Sequence, residues 1–288
     1  TLSPGSASRL WSLEEIILPS AEADAAAIAE AVKTAQKADV SLLVLGDNEQ
    51  TCREGWSQTH LGDRDSLDLP GRQEELLRAV VATGKPVVLL LLNGRPASIN
   101  FAAKQVPAIL EGWYLGQEAG TAVAEVLFGE VNPGGKLPIT FPRSVGQLPA
   151  YYYHKPSARR GYLFSDKSPL FPFGHGLSYT TFAYSNLRLG ADSIRVGEAT
   201  TLSVDVTNSG ERAGDEVVQF YVRDLLSNYV TRPVKQLKGF QRISLQPGET
   251  RTVSFAVGNE QLQFLNEKKK KVVEAGQFEL LVGGSSAH

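Results

Sequence analysis

Residues able to do acid–base or hydrogen-bonding chemistry crowd one stretch of the chain: Glu49, Arg53, Glu54, Trp56, His60, Asp63, Arg64 and Asp65. Glu54 is flanked by Arg53 and followed by Gly55-Trp56. A carboxyl group set against an aromatic wall loses hydration, and the loss raises its pKa toward the range of a general acid. A solvated or salt-bridged glutamate is the plain alternative, and Glu49 competes for the same role. Asp63 and Arg64 read as a pair that pins the stretch, although an arginine there could also hydrogen-bond a substrate hydroxyl. Glu111 and Glu118 flank the end of a later strand and read as structural or supporting groups.

The elements around this stretch say where it stands. Val40 to Gly46 (VSLLVLG) is a short continuous apolar run ending in glycine, the pattern of a buried parallel strand. Pro70 then opens an amphipathic helix to about Thr83, with Leu76, Leu77, Val80 and Val81 on one face. The connection between them far exceeds the roughly 2–6 residues usual for such a link. Long connections in compact domains carry function, and this one leaves the carboxyl end of a strand, where open α/β sheets bind ligands. An alanine-rich helix over 24–37 precedes it, with Ile28, Ala31, Val32 and Ala35 on its buried face. Strands over 86–93 and 108–113 and helices over 95–104 and 118–128 follow. This alternation predicts a mostly parallel α/β layered domain over residues 22–144.

The texture changes at Asn132, where NPGGKLPITFPRS surrounds one expected short strand. Residues 145–181 are rich in Tyr, Pro and Gly without a period, and so many aromatics predict an ordered crossing segment. Beyond it, alternation at Leu202, Val204 and Val206, further runs over 217–222, 236–243, 252–257 and 278–282, and turns at Asn208-Ser-Gly210 and Gln246-Pro-Gly248 predict an all-β sandwich over 182–288. Lys268–Lys271 reads as a solvated hairpin. Residues 1–21 read as the end of a preceding module or linker.

Composition narrows the chemistry. The 288 residues carry a net charge of −2, so no basic field points to nucleic acid or to an anionic membrane. The single cysteine, Cys52, excludes an internal disulfide. His60, His154, His175 and His288 lie far apart without ligand spacing, and no metal or other cofactor is expected. His175 reads as a structural histidine hydrogen-bonded to backbone. Phosphate-binding glycine loops and a GxSxG nucleophile elbow are absent, which argues against nucleotide binding and a serine hydrolase. No apolar run reaches the ~18 residues of a transmembrane helix. With no methionine in it, the chain reads as a piece of a larger protein.

The run EG, then DRDSLDLPGRQ, with TGKPVVLLLLNGRP, ILEGWYLGQEAGTAVAEVLFGEVNPGGKLPITFPRSVGQLP and PLFPFGHGLSYTTF, resembles the C-terminal part of glycoside hydrolase family 3, the β-glucosidase and β-xylosidase family. VTNSGERAGDEVVQFYV and RPVKQLKGFQRISLQPGET extend the resemblance through nearly all of 22–284. It implies an α/β sandwich domain followed by a fibronectin type III-like, immunoglobulin-like domain. An N-terminal (β/α)8 barrel, absent here, would supply a nucleophilic aspartate. Carried onto this chain, the general acid/base is Glu54, with Glu49 as runner-up because SQTHLG separates EGW from Asp63-Arg64. Trp56 would give a sugar an apolar platform, and Arg53 and Arg64 would give it hydrogen bonds. Trp113 would either line the same mouth or belong to the core. The implied partners are a terminal non-reducing β-D-glucosyl or xylosyl substrate and the missing barrel, with a homodimer allowed and a periplasmic or secreted location. The rival reading is a non-catalytic fragment acting as an interaction or carbohydrate-binding module.

Overall fold

A computed structural model of the chain describes residues 20–48, 51, 64–156, 163–226 and 230–287. Helix α1 (Ala21–Lys37) starts where the Ser20 hydroxyl accepts from the Ala23 N–H at 3.3 Å, with Glu22 and Asp24 favourably placed in its first turn. Strands β1 (Ser41–Gly46), β2 (Val87–Leu92) and β3 (Ala108–Glu111) form a parallel sheet in the order β1-β2-β3. The register runs from Ser41 opposite Val87 to Gly46 opposite Leu92, and from Val88 opposite Ala108 to Leu91 opposite Glu111. Helices α2 (Gln73–Val81), α3 (Asn100–Gln105) and α4 (Ala119–Leu127) complete the alternation.

The first core lies on one face of this sheet. Leu43, Leu45, Val87, Leu89 and Leu91 meet Leu77 and Val80 of α2, Ala102 of α3 and Ala35 of α1. Removing these side chains from water is the main stabilising term for the layer. On the other face Leu42 and Val44 of β1 stay 46% and 52% exposed, so this face of the strand is uncovered.

The second core is the expected sandwich. Sheet β4-β5-β8 comprises Phe182–Leu189, Thr200–Asn208 and Thr250–Val257; sheet β11-β6-β7 comprises Phe278–Gly283, Gly214–Asp224 and Gln236–Leu245. Alternate residues point inward, Leu202, Val204, Val206, Val253 and Phe255 from one sheet and Val218, Phe220, Ile243 and Leu245 from the other. Phe220 stacks on Phe255 at 5.3 Å between ring centres.

Four details depart from the sequence reading. The helix expected over 95–104 starts only at Asn100, because residues 97–99 form a buried strap: the Ser98 N–H donates to the Leu67 carbonyl at 2.8 Å and its hydroxyl to Pro142 O at 3.1 Å. The strand expected near 132–144 is one isolated bridge, Phe141 to Phe171. Strand β3 ends at Glu111 rather than Trp113, since Trp113 turns into the left-handed region at φ 54°. Strand β4 was not among the expected strands; a bulge between Ser185 and Arg188, with Asn186 at φ 50°, breaks its alternation. Lys268–Lys271 is exposed and forms the turn and first return residue of a short ribbon, β9 (Phe264–Leu265) with β10 (Lys271–Val272), as a solvated hairpin should.

The crossing segment binds the two cores. Tyr152 stacks on Phe173 at 4.4 Å and its hydroxyl accepts the Leu237 N–H at 3.1 Å. The Lys136 ammonium lies 3.2 Å from the Glu216 carboxylate and donates to Gly176 O at 2.8 Å, and Tyr184 donates to the same carboxylate at 3.1 Å. His175 is buried enough that its pKa is lowered; its ring stacks on Phe171 at 5.1 Å and its carbonyl accepts the Leu137 N–H at 2.7 Å.

Candidate active site

Gly46 closes β1 at φ 148°, where an added Cβ would lie 1.9 Å from the Leu92 carbonyl oxygen, so only glycine fits against the end of β2. Gln73, the first residue of α2, clamps this point from the other side: its amide oxygen accepts the Gly46 N–H and its amide nitrogen donates to the Gly46 carbonyl, each at 2.7 Å. The chain thus leaves the sheet at a fixed place and direction. Asp47 follows, accepting the Gly94 N–H at 2.9 Å and the Tyr114 hydroxyl at 2.8 Å on one oxygen. Gly94 permits this because a side chain there would strike the Tyr114 ring at 2.7 Å. Asn48 and Thr51 then exchange hydrogen bonds, Thr51 N–H to Asn48 Oδ1 at 3.0 Å and Asn48 N–H to Thr51 Oγ1 at 3.1 Å.

The far end of the connection is equally pinned. The Arg64 guanidinium donates to the Asp68 carbonyl, Ser66 bonds Asp68 at 2.8 Å, and Leu69 is buried at the foot of α2. Glu49, Arg53, Glu54, Trp56, His60 and Asp63 lie outside the described residues, so the expected Asp63–Arg64 pair does too. Arg64 takes part in fixing the connection, and Asp65 is exposed.

The carboxyl ends of the three strands bring together Asp47, Asn93, Glu111, Trp113 and Tyr114. Period-two alternation carries Glu111 onto the same side of β3 as Ile109, which packs against the first core. One Glu111 oxygen accepts the Trp113 N–H at 3.1 Å; the other is out of solvent and has no hydrogen-bond partner among the described residues. Asn93 is 1% exposed, donates to Arg95 O at 2.7 Å, and its own amide oxygen is likewise unpartnered. Burial pushes the Glu111 carboxyl up to about 7, against the pull of the Trp113 N–H and the Asn93 amide and with some help from the Asp47 charge. A carboxyl this far up holds its proton near neutrality, but a buried oxygen cannot deliver it to a substrate in the crevice. Glu111 is therefore suited to support the site, as its strand-end position suggested.

Trp113 is half-buried with its ring edge-on to Phe141 at 5.9 Å, so it is both packed and close to the strand ends. Glu118 is exposed, and its carboxylate accepts the Thr121 hydroxyl at 3.2 Å in the first turn of α4. Sequence reasoning passed over Asp47, Asn93 and Tyr114. The signal available for Asn93 was a polar residue directly after an apolar strand, and for Tyr114 its spacing from the end of β3. Among the described residues no group of three or more His, Cys, Asp or Glu could hold a metal ion, and no helix is long and apolar enough to cross a membrane.

Comparison with known proteins places this geometry. Residues 6–179 match the glycosyl hydrolase family 3 C-terminal domain, and residues 216–286 match a fibronectin type III-like domain. The chain is 54% identical over 261 residues to a β-xylosidase of Formosa agariphila, covering 89% of this chain and 35% of that protein. It is 44% identical over 285 residues to a periplasmic β-glucosidase of Salmonella typhimurium, covering 95% and 36%. A β-glucosidase structure from Erythrobacter marinus superposes with a TM-score of 0.88 at 46% identity, covering 92% of this chain and 35% of that one. The chain thus spans about a third of the length of these relatives.

Proposed function

The chain belongs to glycosyl hydrolase family 3, whose C-terminal domain and fibronectin type III-like domain it carries, and from that premise we propose that it forms half of a retaining β-glycosidase active site. Residue Glu54 supplies the general acid/base, and a (β/α)8 barrel in the same protein supplies the aspartate nucleophile. The reaction needs two carboxyls about 5–5.5 Å apart, one protonating the leaving oxygen while the other attacks the anomeric carbon. Glu54 then deprotonates the water that releases the sugar, so it works as acid and base in turn. Its partner carboxyl comes from the barrel, and the isolated chain does not turn over. The substrate is a terminal non-reducing β-D-glucosyl or β-xylosyl unit, in line with the β-xylosidase and β-glucosidase relatives. Trp56 gives the sugar an apolar face, Arg53 and Arg64 give hydrogen bonds, and Trp113 borders the mouth. The location is periplasmic or secreted, in line with the periplasmic Salmonella relative. The domains divide at 22–144, 145–181 and 182–288.

One observation carries this reading. The connection that holds Glu54 leaves the carboxyl end of β1 clamped by Gln73 on Gly46 and by Gly94 and Tyr114 on Asp47, and its far end is fixed at the foot of α2 through Arg64, Ser66 and Asp68. A long connection with both feet fixed can present one side chain to a partner domain at a set place.

The test is hydrolysis of aryl β-glucosides and β-xylosides by the chain alone and joined to its barrel, as wild type, Glu54→Ala and Glu49→Ala. Turnover is expected only with the barrel. Glu54→Ala should lower kcat at least about 100-fold on substrates with poor leaving groups, and azide should partly restore an activated aryl glycoside. Full activity in Glu54→Ala with loss in Glu49→Ala would move the role to Glu49.

A further inference from the structure

The paired orphan acceptors at the strand ends point to a role for Glu111 that the reaction scheme does not contain. A buried acceptor without a donor costs free energy, and two on neighbouring side chains cost it twice. Glu111 Oε2 and Asn93 Oδ1 are such a pair, both out of solvent, on adjacent strand ends. Turning the Asn93 amide over would not help, because its nitrogen is committed to the Arg95 carbonyl at 2.7 Å. A proton on Glu111 Oε2 removes the buried charge and converts one orphan acceptor into a donor. The other Glu111 oxygen meanwhile holds the N–H of Trp113, a residue in the left-handed conformation that bulky side chains seldom adopt. From Trp113 the chain continues directly into Tyr114, whose hydroxyl reaches Asp47 at the start of the connection.

We propose that Glu111 is a positioning residue that, in its uncharged form, holds the strained Trp113–Tyr114 turn against Asp47 and so sets where the 47–69 connection leaves the sheet. Ionisation puts a carboxylate in a place where its second oxygen makes no hydrogen bond among the described residues, and the turn relaxes toward water to hydrate it. The groups facing the carboxyl are Asp47 at the end of β1, whose charge opposes ionisation, and the Asn93 amide at the end of β2 and the Trp113 N–H on its own strand, both of which favour the anion without offsetting burial. The consequence for turnover rests on the glycosidase reading above; the anchor itself does not.

Carbon-13 NMR of the glutamate carboxyls and the Trp113 indole signal, followed from pH 5 to 9 on the full chain as wild type and Glu111→Gln, tests the anchor without any catalysis. The expected result is one carboxyl signal, absent from Glu111→Gln, with its midpoint near neutrality, and a Trp113 signal moving with the same midpoint. In Glu111→Gln the Trp113 signal should keep its low-pH position throughout. A Glu111 carboxyl titrating like a surface glutamate, or a Trp113 signal indifferent to it, overturns the proposal. With the barrel joined, the ratio of kcat/KM at pH 8 to that at pH 6 should be up to about tenfold larger in Glu111→Gln than in wild type, the factor for a group titrating one unit below the upper pH. An unchanged ratio beside a positive NMR result would overturn the influence on the reaction and leave the anchor standing. Absence of turnover in the joined protein would count against the glycosidase reading, while the NMR result still decides the anchor.

Discussion

The proton on Glu111 has a thermodynamic signature as well as a positional one. Burial raises its folded pKa from the ordinary 4.5 to about 7. Below pH 4.5 both folded and unfolded forms are neutral and the group is silent. Between 4.5 and 7 the unfolded chain ionises while the folded one does not, so stability falls as pH rises; above 7 the loss is complete. The full penalty is on the order of 3 kcal/mol. Glu111→Gln should therefore match wild type near pH 4.5 and resist more urea at pH 8, which chemical denaturation at the two pH values checks. The Lys136–Glu216 pair behaves oppositely, since its two charges answer each other almost wholly out of water. Lys136→Met should cost about 3 kcal/mol or more by stranding a buried carboxylate, and adding Glu216→Leu should return part of that. A double-mutant cycle by urea melting would show the coupling; additive losses would count against it.

The end of β1 is where element geometry controls the site. Gly46→Ala forces a methyl against the Leu92 carbonyl, so β1 and β2 must part at their carboxyl ends. A loss of several kcal/mol is expected, with faster amide exchange at Asp47 and Gly94 than in the rest of the sheet. Uniform exchange across the sheet would argue that the strain spreads instead. This element was only partly legible beforehand. The apolar run and terminal glycine marked the strand and its end, and Pro70 with its apolar face marked α2. The Gln73 clamp, the Asp47 bonds and the Trp113 turn were not, because each joins residues far apart in sequence with no periodic signature. The 95–104 helix was overestimated for a related reason: helical propensity after Pro96 yielded to the hydrogen bonds that tie Ser98 to Leu67 and Pro142.

Across the molecule, the crossing segment links the two cores. Phe171 packs against the first, while Tyr152, stacked on Phe173, ties the same segment to the sandwich through the Leu237 N–H and the Tyr221 ring. Tyr152→Ala should remove about 2–3 kcal/mol and, more tellingly, split one calorimetric transition into two, with the α/β layer melting apart from the sandwich. A single transition at lower temperature would mean that the remaining links, Lys136 to Glu216 and Asn132 to the Ala213 carbonyl among them, suffice to join them.

Short-range patterns determined much of this protein: parallel strands from continuous apolar runs, helices from 3.6-residue periodicity, the sandwich from period-two alternation, and the place of the long connection at a strand's carboxyl end. These are local because each element must bury one face, and a single periodicity records which. Composition marked the aromatic stretch for order, and its described parts, 145–156 and 163–181, carry the ring contacts expected of one. Only the tertiary structure decided that Glu111 Oε2 and Asn93 Oδ1 are buried at adjacent strand ends without a hydrogen bond among the described residues, that Tyr114 reaches Asp47, and that Lys136 meets Glu216 across the join. Such pairings depend on which strand ends and loops the packing brings together, and desolvation, which sets the charge of Glu111, exists only once the sheet has closed around it.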